Sequence, residues 1–117
     1  MSTNLATAEK MIAVCNAQDV DTYVSYMTDD ACEANYRGDV VRGGKGGTRS
    51  GLAAAFAKWP QNHVEIVEKQ AIGDFVMFRE HVTRGRASDG SELVEPFDMI
   101  AVYSFAGDKC SRVEFIR

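Results

Sequence analysis

The sequence predicts an α+β domain in which three helices precede, and then cover, one face of a curved antiparallel sheet. Two observations carry this reading. Up to Pro60 the apolar residues recur at helical spacing, and beyond it the pattern changes to period two. Three turn signals then punctuate the second half, at Gly73-Asp74, at Ser88 to Ser91 and at Ala106 to Lys109. Helices first and a meander second is an α+β order.

The first helix spans Asn4 to Gln18, where Leu5, Ala8, Met11, Ile12 and Cys15 form the apolar stripe and Thr3 or Asn4 can cap it. A second, short helix starts at Asp19, whose carboxylate can accept from its first free amides. Val20, Tyr23, Val24 and Met27 supply its apolar side. "TDDA" then reads as a stop and "ACEANYR" as a short extended segment. A third helix runs from about Ser50 to Trp59, ended by Pro60. Strands follow at 62 to 72, 75 to 87, 92 to 105 and 110 to 117, joined by tight turns into an antiparallel meander. Strands this long must curve, and a curved sheet closed by helices makes a cone with a cavity.

Composition sets the outer bounds. The 117 residues form one domain, 1–117, large enough to bury a core without staples. The net charge of -4 argues against a nucleic-acid partner, since phosphate neutralisation needs a basic face. No apolar run is long enough for a membrane span. The opening "MSTNLATAEK" lacks a basic segment followed by an apolar one, so a cytoplasmic protein is expected. Three widely spaced cysteines, Cys15, Cys32 and Cys110, read as reduced thiols and packing residues.

The stretch "RGGKGGTRSG", Arg42 to Gly51, has the look of a phosphate loop. A Walker loop needs a lysine directly before Ser or Thr and a buried parallel strand ahead of it. Lys45 sits between glycine pairs, and "ANYRGDVV" is not a continuous apolar strand. The stretch therefore reads as a flexible connector, with Thr48 or Ser50 capping the helix that follows. His63 and His81 lack metal-ligand spacing, so neither a metal nor any other cofactor is called for.

Taken together, three stretches resemble the NTF2-like superfamily, in its SnoaL-like and ketosteroid isomerase-like branch. "NAQDVDTYVSYMTDDA" resembles the signature joining that family's first two helices, and "RSGLAAAF" the start of its third helix. "VEPFDMIAVYSFAGDKCSRVEFIR" resembles its last hairpin. The resemblance implies a cone-shaped pocket between helices and concave sheet, and a homodimer through the outer sheet face. It specifies the fold and leaves the reaction open.

The resemblance also assigns candidate residues. Asp98 falls on the position of the hydrogen-bond-donating acid, and alternation puts it on one face with Ile100 and Val102. If that face is the cavity wall, desolvation keeps the carboxyl protonated; otherwise Asp98 is a rim residue paired with Arg79. The isomerase's general base falls on Asn35, an amide without basicity, and its tyrosines fall on Met11 and near Trp59. Steroid isomerisation is therefore not expected. Glu33, two residues before Asn35, points the same way in a strand and is a candidate base, unless a register slip turns it to solvent. His81 is a second candidate base, sharing a face with Met77, Arg79 and Thr83 that the family alignment sends toward the pocket. Tyr26 and Trp59 are candidate lining residues.

The expected function is a pocket protein for a small apolar molecule bearing a carbonyl or hydroxyl. Catalysis would be cofactor-free acid–base chemistry: isomerisation, dehydration or aldol-type cyclisation. Asp98 would donate, Glu33 or His81 would move the proton, and Asn35, Trp59, Arg79, Met11 and Tyr26 would contact the ligand. The alternative is a non-catalytic ligand-binding or dimerisation module.

Overall fold

The computed structural model describes residues 3–117. Helix α1 spans Thr3–Asn16 and α2 spans Val20–Ser25. Strand β1, Met27–Asn35, pairs with a short β2, Val40–Gly43, and helix α3 follows at Gly44–Lys58. The second half is β3 (His63–Ile72), β4 (Phe75–Thr83), β5 (Gly85–Arg86), β6 (Leu93–Val94), β7 (Phe97–Ala106) and β8 (Lys109–Ile116). The main sheet runs β2-β1-β8-β7-β4-β3. The expected meander is its β3-β4-β7-β8 half, and every pairing is antiparallel except β1 with β8.

The helices form where the apolar spacing places them. Asp19 caps α2 by accepting from Thr22 N at 3.1 Å. Asn16, at the end of α1, locks onto β3: its Nδ2 donates to Val64 O at 2.8 Å and its Oδ1 accepts from Val64 N at 2.8 Å. The helical layer and the inner sheet face bury Met11, Phe56, Val76, Phe78, Tyr103 and Val113 together. Phe78 meets Tyr103 edge-to-face, with ring centres 5.4 Å apart. No helix among the described residues is long and apolar enough to cross a membrane.

Three local expectations are corrected. The second helix ends at Ser25, ahead of "TDDA", so that Met27, expected on the helix, opens β1 and "TDDA" lies within that strand, whose pairing with β8 is interrupted between Met27 and Cys32. The 75–87 strand breaks at Arg84 and the 92–105 strand at Glu95-Pro96, and the detached pieces form the small β5–β6 ladder. The glycine-rich connector is helical: α3 begins at Gly44, with Gly43 as an extended cap residue that makes no side-chain bond. Thr48 is fully buried inside that helix rather than capping it.

The candidate functional site

Burial divides the strands into two faces, and the division decides which residues can act. On β4 the inward set is Val76, Phe78, Glu80 and Val82. Met77, Arg79 and His81 lie on the outer face, opposite to the expectation. The register pairs His81 with Asp98 and Arg79 with Ile100, so Asp98, Ile100 and Val102 are outer residues as well. Inward on β7 are Phe97, Met99, Ala101, Tyr103 and Phe105. The physical reason is simple: on β4 one set is Val76, Phe78 and Val82 with Glu80, the other carries Arg79, His81 and Thr83 beside Phe75 and Met77, and the more apolar set takes the core.

Asp98 is therefore a surface carboxylate, its side chain 47% exposed. His81 Nδ1 lies 2.8 Å from its Oδ1, and Arg79 donates to its Oδ2 at 3.1 Å. The His81 hydrogen bond foremost, then that of Arg79, holds the Asp98 carboxyl below its usual range, the reverse of a protonated pocket acid. Asp98, His81 and Arg79 come together as the rim cluster of the alternative reading and leave the cavity. Met11 is fully buried core, and Tyr26 packs half-buried against that core; neither lines the cavity.

A cavity of about 260 Å³ lies between the helices and the inner sheet face. Ile12, Leu52 and Phe56 supply its apolar helical side, and Val82, Tyr103 and Phe115 its sheet side. The exposed residues Asn35, Val41 and Arg117 mark its open end. Of the candidate residues, Glu33, Asn35 and Trp59 border this space.

Glu33 is 1% exposed and lies where β1 crosses the cavity. Tyr23 on α2 donates its hydroxyl to Glu33 Oε2 at 2.8 Å. Arg42 on β2 donates Nε to Oε1 at 2.5 Å, the ion pair that makes this burial tolerable. Burial foremost, then the Glu33 charge, raises the Tyr23 hydroxyl well above its ordinary range, so it stays a donor. The Arg42 stem crosses α3 at Gly51, where a Cβ would stand 2.5 Å from Cδ and 2.8 Å from Cγ. This is the one glycine of the "RGGKGGTRSG" stretch with a clear packing duty: it leaves room for the arm that reaches Glu33.

The group that sequence reasoning missed is Glu80. It is 1% exposed, borders the cavity, and its Oε2 has no hydrogen-bond partner. Burial, with the Glu33 charge second, pushes its carboxyl up to about 8. Two cavity carboxyls thus sit in different electrical states, one ion-paired and one neutral at ordinary pH. Cys15 also borders the cavity, but burial pushes its thiol up to about 12, which removes it as a nucleophile. Arg84 reaches the same space from the end of β4, its guanidinium 6.0 Å from the Trp59 ring centre and 5.8 Å from that of Phe97. Its Nε is buried without an acceptor. The signal for Glu80 was present in "FVMFREHV", as an acid in phase with Val76, Phe78 and Val82.

Comparison with known proteins agrees with this architecture. A sequence model of the SnoaL-like domain family matches residues 8–113. The chain is 79% identical to a protein of Novosphingobium aromaticivorans described as an uncharacterised cystatin-fold protein, over 100% of this chain and 99% of that one, with a TM-score of 0.96. A candidate SnoaL-like polyketide cyclase of Jannaschia sp. CCS1 is similar in fold, with a TM-score of 0.79 at 14% identity, covering 97% of this chain and 84% of that one. So is an LEH-like epoxide hydrolase of M. tuberculosis, with a TM-score of 0.79 at 16% identity, over 97% of this chain and 80% of that one. Among curated proteins no match is found.

Proposed function

Since this chain belongs to the SnoaL-like domain family, on the NTF2-like fold, we propose that its cavity binds a small, largely apolar oxygen compound and carries out cofactor-free acid–base chemistry on it. The observation that carries the reading is Glu80, a buried carboxyl on the cavity wall with an unpartnered oxygen. A proton-transfer group works best when its pKa lies near the operating pH, and about 8 meets that condition. Glu80 gives its proton to a carbonyl or hydroxyl oxygen as charge develops there. The fixed negative charge of Glu33 then favours the proton's return. Tyr23 and Arg42 hold Glu33 in place, while Asn35 and Trp59 offer donors that orient the ligand. Isomerisation, dehydration and ring closure share this requirement for one group that gives and regains a proton. The name of the Jannaschia protein, a candidate cyclase, falls within that range, and epoxide hydrolysis, named for the M. tuberculosis protein, likewise needs a proton delivered to an oxygen as its C–O bond breaks.

Turnover on a panel of cyclic enones and hydroxyketones tests the reading. Glu80→Gln is expected to lower kcat by roughly 10²–10⁴-fold, the usual weight of a general acid. Asp98→Asn, on the far face of the sheet, is expected to leave turnover unchanged. Full activity in Glu80→Gln would remove Glu80 from the chemistry. A ligand that co-purifies in the cavity without any turnover would favour the non-catalytic binding module.

The outer sheet face supports a homodimer. Phe75 and Met77, 53% and 40% exposed, share it with Ile100, Val102 and Ile116, an apolar stripe beside the Arg79–Asp98–His81 cluster. Light scattering of the purified protein is expected to give twice the chain mass, and Ile100→Asp to give the monomer. Three free cysteines support a reducing, cytoplasmic setting.

A further inference from the structure

We propose that the ligand is a carboxylic acid, its carboxylate seated between Arg84 and Arg117 at the cavity mouth and its apolar body directed inward. This inference rests on the reading of the cavity as a ligand site. It starts from an imbalance of charge. Arg42, Arg49, Arg79 and Arg112 each have an acidic partner within ion-pair distance. Arg84 and Arg117 have none among the described residues, yet both border the cavity.

The two guanidiniums converge on one aromatic ring: their central carbons lie 5.8 Å and 4.0 Å from the centre of Phe97. Two like charges gathered on one ring repel each other, and an anion between them removes that cost. Arg84 carries the stronger demand. Its Nε is buried without an acceptor, an expensive state for a charged donor. The acid whose charge favours the guanidinium, Glu92, is engaged by Lys58 at 3.5 Å. Burial first, then Arg117 and Arg42, lowers Arg84 from its ordinary range, which reports the same local excess of positive charge.

The occupant's shape follows from the surroundings. A planar guanidinium fork matches the two oxygens of a carboxylate. Beyond the arginines the walls include Trp59, Val82 and Phe115, which suit an aromatic or cyclic aliphatic body. About 260 Å³ leaves room for a body of that size and little more. A carboxylate anchored at the mouth would place the far end of such a molecule toward Glu80 and Glu33.

Calorimetric titration of the full chain with phenylacetate and with its neutral isostere phenylacetamide separates the parts of this inference. Phenylacetate is expected to bind at least about tenfold more tightly, as a charge-assisted bidentate contact requires. That preference is expected to shrink with added salt. Arg84→Gln and Arg117→Gln are each expected to bind the two probes more nearly alike. Arg84→Lys, which keeps the charge but not the fork, is expected to retain part of the preference. Binding of phenylacetamide by the glutamine variants shows that they remain folded. Equal affinity of the wild-type chain for both probes, or a preference that survives both glutamine variants, would overturn the anion seat and leave the cavity reading intact. Failure of both probes to enter the cavity would overturn both.

Discussion

Replacing Glu80 by glutamine is expected to raise stability at alkaline pH and to flatten its dependence on pH. Glu80 ionises near its ordinary 4.5 in the unfolded chain and near 8 in the folded one. Between those values the folded state holds a proton that the unfolded state has released. Stability is therefore greatest below about pH 4.5 as far as this group is concerned, falls as pH rises toward 8, and levels off above it. A shift of this size corresponds to a loss on the order of 5 kcal/mol across the window, a large share of a small domain's stability. Glutamine does not titrate, so the variant should lack this slope. Urea unfolding at a series of pH values checks it: the two proteins should differ little near pH 5 and diverge toward pH 8.5. A difference that stays constant with pH would mean that Glu80 is not held neutral by the fold.

Replacing Arg42 by leucine is the second large effect. It removes the cation from an ion pair whose carboxylate is 1% exposed, leaving Glu33 with Tyr23 as its hydrogen-bond donor among the described residues. Stranding a buried charge costs roughly 3–5 kcal/mol. For a chain of this size that lowers Tm by roughly 10–20 °C. The double variant Glu33→Gln with Arg42→Leu should recover much of the loss, because the neutral amide still accepts from Tyr23. Gly51→Ala should cause a milder version of the same defect: its methyl displaces the Arg42 stem while the helix gains from losing a glycine. Denaturant midpoints of the wild type, the single variants Arg42→Leu and Glu33→Gln, and the double variant form a cycle that isolates the Glu33–Arg42 coupling. Additivity of the two single losses in the double variant would show that the pair is not coupled.

What was legible in the sequence was whatever depends on local period. The helices, the meander and the Asp19 cap follow from neighbours a few residues apart; the facing of Glu33 came from alternation with Asn35 and the family resemblance, with a register slip left open. The facing of β4 and β7 was misread for an identifiable reason. On β7 both alternating sets are largely apolar, Phe97, Met99 and Ala101 against Ile100 and Val102, so period alone does not choose a wall. The family alignment then chose for β4 against the evidence of Val76, Phe78 and Val82. That choice exchanged Glu80 for His81, and the family position of the donating acid placed Asp98 inward in the same way. The pairing of Arg42 with Glu33 was illegible because β2 is four residues long and sits in a stretch dominated by glycine. Nor does any local pattern announce the β1–β8 contact, which joins segments about eighty residues apart in sequence.

That contact governs the order in which the molecule can be assembled. The β1–β2 hairpin shares no edge with the β3-β4-β7 unit, and β8, last of the strands, is wedged between them. Glu33 and Glu80 thus lie in two parts of the sheet that become one when Val113 and Phe115 arrive, although α1 already reaches β3 through Asn16. During synthesis on a ribosome, both carboxyls would stay hydrated until then, and the cost of burying them would fall in one late step. A slow refolding phase that reports on β1 and quickens at acid pH would be the kinetic mark of that step.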